Sequence, residues 1–473
     1  MTGRRSTLAS IHGSDDAVLI GDRSSLFERL FPWLLVGFAV LDRGFAWFHI
    51  PGTPLFVTEI VLAVGLAAAL RGFTRTTVWS RSSAVAVLVG FMAWGIARSI
   101  PGMLDDPEVA LRDAATWIYA VFLFALIDLV NRRPSTLGRW LGRYRRLLLP
   151  LTVLLPAVVY LGELVDGLDV PDSDVSIFSY KPGNAAVHLL LAIGFLWAVW
   201  SPQDRKGVRS RYIITGLAVA GILVLSTQGR GGFVAATVGG ALLILLITDR
   251  SQLVLSAAGS LVAIAVAVVL IDPELHLGGR DISAEQFAEN VSSIVTGEGD
   301  GELGGNVDWR VHHWTRVWEG VNDDVPLTGH GFGVNIANEY GIPQADIGLR
   351  NAHNSHLTIL ARVGWVGAAL WLTLWFFWYL ETLWARRRHR EMGLYRLSGL
   401  STWALVGVTA IHVNAIFDPT LEGPQVAVWL WALTALGVFT TLAARVRVRG
   451  LDPVAAVSRV NSEIDRELSR RAR

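Results

Sequence analysis

The chain has 473 residues, 52% hydrophobic and only 17% charged, against about a quarter charged in an average soluble chain. Mean hydropathy is +0.44 and the formal net charge is +1, so no global field points to nucleic acid as a partner. Cysteine is absent, which excludes disulfides, thiolate catalysis and Cys-ligated metals.

Residues 1–27 are polar and charged and lack the pattern of a cleaved secretory signal. They read as a cytoplasmic tail, with the first apolar segment as its own uncleaved signal. Apolar segments then fall at 29–48, 54–71, 83–100, 114–131, 147–163, 184–200, 212–227, 232–248, 252–271, 356–384, 397–416 and 424–444. Most approach the ~20 residues needed to cross a hydrocarbon core. Many of the 19 Trp stand at segment ends, among them Trp33, Trp47, Trp79, Trp200, Trp365 and Trp384, where interfacial anchors belong.

The loops alternate in charge. One set carries Arg71, Arg75 and Arg81, then Arg132, Arg133, Arg139, Arg143, Arg145 and Arg146, then Arg205, Lys206, Arg209 and Arg211, then Arg250, then Arg386, Arg387, Arg388 and Arg390. The intervening loops are short or acidic, with Asp105, Asp106 and Glu108 in one and Glu163, Asp166, Asp169, Asp172 and Asp174 in another. The positive-inside rule places both termini and the Arg-rich loops in the cytoplasm, and an even number of crossings agrees. The expected fold is an all-α polytopic membrane protein of about twelve transmembrane helices. Helices 1–9 would occupy 28–271 and helices 10–12 would occupy 356–445. A cytoplasmic tail would cover 446–473, charged and helical beyond 452, and 272–355 would form a long extracytoplasmic loop between helices 9 and 10.

That loop far exceeds an ordinary connection, and long loops on rigid scaffolds are where function concentrates. It contains Gly-rich sequence (Gly297-Glu298-Gly299-Asp300-Gly301) and then a helical-looking stretch, Val307–Val321.

Three stretches hold candidate chemistry. In Ser226-Thr227-Gln228-Gly229-Arg230-Gly231-Gly232 a short turn joins two apolar runs. Its permanent charge suits a phosphate fork and its glycines leave amides open to an anion. A tight turn whose arginine snorkels to lipid headgroups is the structural alternative. Next, Arg310, Trp314 and Trp318 share a helical face, followed by Pro326-Leu327-Thr328-Gly329-His330-Gly331-Phe332-Gly333; an interfacial amphipathic helix is the alternative there. Third, Asn351-Ala352-His353-Asn354-Ser355-His356-Leu357 precedes the tenth apolar segment. It sets an imidazole, suited to accepting a hydroxyl proton near neutral pH, at the membrane boundary. A helix N-cap with a merely solvated histidine is the alternative. His276, His312, His313, His330, His353 and His356 cluster in or beside the loop, yet no His-Glu-x-x-His spacing occurs, and no metal or other cofactor is expected.

Together and in this order, the three stretches resemble the O-antigen ligase and polymerase superfamily. The matching residues are Gly229-Arg230-Gly231-Gly232, Arg310-x-x-x-Trp314, Pro326-Leu327-x-Gly329-x-Gly331-x-Gly333 and His353-Asn354-x-x-Leu357, with weaker echoes in Lys181-Pro182-Gly183-Asn184 and Phe417-Asp418. Gly229 stands where the family usually has serine, which removes a hydroxyl beside the arginine. The resemblance covers roughly 30–445. It implies a GT-C-like membrane glycosyltransferase in the bacterial cytoplasmic (inner) membrane, metal-independent and inverting. Such an enzyme moves a glycan from a polyprenyl diphosphate carrier to an acceptor hydroxyl on a glycan, lipid or wall polymer at the outer face. The resemblance casts Arg230 and Arg310 as a diphosphate clamp, with Lys181 and Gly231 beside them, and His353 as base or orienter. Asn354, His356, Trp314, Asp418 and Asn184 are secondary candidates. A glycan polymerase shares these motifs. A secondary transporter or lipid-linked glycan exporter is the reading of another class, although the sequence lacks the internal repeat and midplane charges typical of transporters.

Overall fold

The computed structural model describes residues 25–50, 55–73, 81–165, 168–171, 173, 175–201, 204–271, 275–277, 280–282, 302–342, 349–445, 461, 462 and 464. Helices dominate. In chain order they are α1 (Leu26–Ala46), α2 (Val57–Phe73), α3 (Ser83–Asp105), α4 (Pro107–Asp113), α5 (Ala115–Ile118), α6 (Val121–Arg132), α7 (Pro134–Leu164), α8 (Pro182–Gly194, continued by a π turn Phe195–Val199), α9 (Arg205–Ser226), α10 (Arg230–Leu246) and α11 (Arg250–Ile271). A short antiparallel hairpin follows, β1 (Leu275–Leu277) and β2 (Arg280–Ile282), with Leu275 opposite Ile282. Then come α12 (Glu302–Asp324), α13 (Ile336–Glu339), α14 (Ser355–Glu391), α15 (Tyr395–Phe417) and α16 (Pro424–Ala444).

Each apolar segment read from the sequence overlaps a helix. Seven helices among the described residues are long and apolar enough to cross a membrane, and Val57–Leu70 and Arg230–Leu246 are shorter apolar helices. The protein is thus a multi-pass membrane protein. The Gly297–Gly301 stretch, Trp79 and most of the C-terminal tail lie outside the described residues.

Helix starts follow from local chemistry. Ser82 accepts from Val85 N to open α3 and Asp204 from Gly207 N to open α9, while Pro182 and Pro424 take the first turns of α8 and α16, where a missing N–H costs nothing. α8, α15 and α16 are buried along almost their whole length, as helices apolar all round should be. α15 packs on α8, α10, α14 and α16, while α14 also lies on α3 and α16 on α6 and α1. Of the aromatic residues expected as interfacial anchors, Trp33, Trp365 and Trp384 are exposed. Trp200 departs from that expectation: it is buried, with the Arg145 guanidinium 4.6 Å above its ring.

One long helix is interrupted in its first third. At Gly364 α14 turns through φ 62° and ψ −172°, and the loop 325–333 fills the gap. His330 N donates to Ala361 O (2.8 Å) and Gly331 N to Arg362 O (2.9 Å), while Trp365 N donates to Pro326 O (2.8 Å) and Val366 N to Leu327 O (3.3 Å). Trp94 Nε1 donates to Val363 O (2.9 Å) and Arg98 to Gly329 O (2.7 Å), tying α3 to the same splice. A spanning helix tolerates such a break only when its freed backbone groups find protein partners. The glycine run is required here: Gly329 sits at φ 67°, and a Cβ there would meet Gly364 N at 2.5 Å.

Beneath the loop lies a buried ion network. Arg362 is 3.0 Å from Asp113 Oδ2 and Arg350 3.4 Å from the same oxygen. Gly333 N donates to it at 3.2 Å, and Arg350 also donates to Gly333 O (3.0 Å). The long loop is therefore riveted to α3, α4 and α14.

Candidate active site

The site residues gather at the loop end of the bundle, opposite the Arg-rich ends. Three helix termini meet there because glycines let them approach. A Cβ on Gly231 would fall 2.7 Å from Phe417 Cβ, and one on Gly232 2.7 Å from Gly183 Cα. The starts of α8 and α10 therefore lie side by side against the end of α15. Neither start has a side-chain cap, so two positive dipole ends lie in one region, although on α8 Pro182 has no N–H and Lys181 N is bonded to Asp42. Lys181 is the N-cap of α8 and Arg230 the first residue of α10.

Lys181 is held from behind. Asp42, in the last turn of α1, is fully buried at φ 44°. Its carboxylate accepts from Lys181 N (2.9 Å) and from Asn184 Nδ2 (3.0 and 3.1 Å), and Asn414 Nδ2 donates to Asn184 Oδ1 (3.0 Å). This chain of polar contacts joins α1, α8 and α15.

In front of it, the Asp418 carboxylate is shared. Lys181 Nζ is 3.4 Å and His353 Nδ1 3.9 Å from the same Asp418 Oδ1. Ser355 Oγ donates to Asp418 O (3.2 Å) and accepts from Leu421 N (3.1 Å), fixing this corner to the start of α14.

His353 occupies the left-handed region at φ 50°, a conformation that costs a non-glycine residue on the order of 1–3 kcal/mol. Its neighbours enforce it. His353 N donates to Asn351 Oδ1 (3.0 Å), Trp314 Nε1 to Ala352 O (2.9 Å) and Ala352 N to Thr358 Oγ1 (3.1 Å). The Trp309 ring stands edge-on at 5.6 Å. Burial, reinforced by the charge of Lys181 and offset in part by Asp418, pushes the imidazole down to about 4, and Arg310 adds to the depression. The ring is therefore neutral near pH 7, and its Nδ1 is buried without a hydrogen-bond partner. Arg310 Nε is likewise buried and unpartnered.

The structure thus brings Lys181, Arg310, His353 and Asp418 into one electrostatic cluster, with Arg230 and Gly231 beside Phe417 at its edge and Asn184 behind. Trp314 braces the His353 segment. Asn354 caps α14, accepting from His356 N (3.0 Å) and Leu357 N (3.2 Å). His356 turns inward, donating to His412 O at 3.1 Å and stacking on that ring. Trp318 is exposed against Trp365, whereas His313, Val317 and Val321 form the buried face of α12. Among the described residues, no group of three or more His, Asp or Glu side chains is arranged to hold a metal.

Sequence reasoning misses several residues. Asp42 reads as a charge flanking an apolar run, and nothing in the local pattern marks Asp113 or Trp309. Glu422, between α15 and α16, is equally silent; burial raises its carboxyl to about 7, against the charge of Arg362 and a bond from Thr358. Arg362 alone carries a visible signal, an arginine within an apolar segment.

A search of curated proteins returns no match. A family model described as O-antigen ligase matches residues 215–372, a span that includes Arg230, Arg310 and His353 but not Lys181 or Asp418. Residues 215–372 are thus similar to the O-antigen ligase family, which supports the resemblance of the chain to the O-antigen ligase superfamily.

Proposed function

We propose that this protein transfers a glycan from a polyprenyl diphosphate donor to an acceptor hydroxyl, with the site on the outer face of the bacterial cytoplasmic membrane. The observation that carries the reading is the meeting of Lys181, Arg310 and the positive dipole ends of α8 and α10 beside a neutral, half-buried His353. Diphosphate is already a competent leaving group once its charge is balanced, and fixed cations and amides do this in a desolvated site. Arg230, at the head of α10, completes the clamp, with the Gly231 amide behind it.

The acceptor oxygen attacks the anomeric carbon as the bond to the diphosphate oxygen breaks. The electron pair leaves on the polyprenyl diphosphate, and the acceptor proton passes to His353. Attack from the side opposite the leaving group inverts the anomeric centre. Donor binding also prepares the base. Its negative charge offsets Lys181 and Arg310, two of the causes that hold His353 low, so the imidazole becomes a stronger base when substrate arrives. A polymerase would use the same steps with a carrier-linked glycan as acceptor.

The test uses purified protein with a polyprenyl diphosphate-linked glycan and an acceptor, with and without EDTA. His353→Ala is expected to lose 10²–10⁴-fold in rate, roughly the worth of a general base, and Arg310→Ala to be inactive while still inserting. Full activity of His353→Ala would remove the base from this reading, and loss of activity on chelation would overturn its metal-free chemistry. A transporter would move the carrier across vesicles without altering its glycan.

A further inference from the structure

A cavity lies at the other end of the bundle, among the Arg-rich ends of α1, α6, α7, α15 and α16. It encloses ≈ 470 Å³, within the range of about 300–1,000 Å³ typical of sites for small organic ligands. Phe31, Trp140, Leu151, Leu436 and Phe439 give it an apolar, aromatic wall. Trp33, 71% exposed, forms its rim, so the cavity reaches the perimeter of the helices, where lipid stands in a membrane. Water would find few partners inside.

The charge at the cavity is of one sign. Arg143 and Arg146 border it, both exposed, and no Asp or Glu lines it. They stand three residues apart on α7 and so share a face. Other arginines at this end make ion pairs or ring contacts. Arg132 pairs with Asp128, Arg133 and Arg139 pair with Glu28, and Arg145 lies over Trp200.

We propose that this cavity binds an anionic glycerophospholipid, one acyl chain filling the apolar space and the phosphate meeting Arg143 and Arg146. Guanidinium forks suit a phosphate, and a net negative headgroup gains from two arginines what a zwitterionic one, carrying its own cation, largely forfeits. The site is separate from the candidate active site. On α1 it uses Phe31–Ala39 rather than Asp42, and on α15 Trp403 rather than the Asp418 end. A lipid seated here would touch both α1 and α7.

Native mass spectrometry of the full chain in detergent tests this, with added phosphatidylglycerol or phosphatidylcholine of matched acyl chains. The wild type should retain phosphatidylglycerol preferentially. Arg143→Gln with Arg146→Gln should lower that retention roughly fivefold per arginine and leave phosphatidylcholine unchanged. Leu436→Trp, which fills the cavity, should reduce both; Val36→Trp on the facing wall serves if Leu436→Trp does not fold. Equal retention of the two lipids by the wild type overturns the proposal. So does unchanged phosphatidylglycerol retention in the double glutamine variant or in a folded, filled-cavity variant.

Discussion

At the scale of single residues, Asp418 sets the balance of the candidate site because one of its oxygens serves both Lys181 and His353. The signs of its effects can be worked out. Lys181 helps hold the His353 imidazole near 4 and Asp418 opposes it. Lys181→Met should therefore raise the His353 pKa, and Asp418→Asn should depress it further. The base form exists above the pKa, so the acid limb of kcat/KM should move to higher pH in the first variant and to lower pH in the second. Titration of the labelled imidazole by NMR and a pH–rate profile check both, and parallel shifts in the two variants would contradict the shared-carboxylate geometry. Arg230, Arg310 and His353 are legible in the sequence because their motifs are local and ordered along the chain. Asp42 is not, because its meaning lies in Lys181 and Asn184, more than a hundred residues away. Nothing short of the packed helices shows that a charge at the end of α1 orients the start of α8.

At the scale of elements, the splice between α14 and the 325–333 loop separates what glycine does from what anion binding would require. The Gly-x-Gly-x-Gly run is legible as a turn, but its destination, the break at Gly364, is hidden in an apolar segment that reads as one continuous helix. Gly329→Ala forces a side chain into a left-handed backbone and onto Gly364 N, and should cost on the order of 1–3 kcal/mol, seen as a lower unfolding midpoint in detergent. The ion network beneath the loop makes a larger claim. Removing Asp113 leaves the buried Arg362 without its carboxylate, and Asp113→Leu should destabilise by about 3–5 kcal/mol. The double variant Asp113→Leu with Arg362→Met should recover part of that loss. If the single variant is as stable as wild type, the network is not buried as described.

At the scale of the whole molecule, the segregation of arginine to one set of loops is plain in the order of residues alone, and the helices fall where the apolar runs stand. What sequence does not supply is which helices form the interior, since α8, α15 and α16 differ little in apolar character from their neighbours and are distinguished by burial. The orientation is directly testable because the chain has no cysteine. Thr315→Cys, exposed on α12, should react with an impermeant maleimide in intact cells, and Arg387→Cys, exposed near the end of α14, only after the membrane is opened. The reverse pattern would invert the topology. The splice at Gly364 has a bearing on biogenesis as well. When α14 first enters the bilayer, its two parts carry backbone groups that only residues 326–331 and Trp94 can satisfy. The span is complete only once the loop returns and docks. A nascent chain whose loop fails to fold therefore also has a defective membrane helix, and quality control in the membrane would remove it together with its unassembled candidate site.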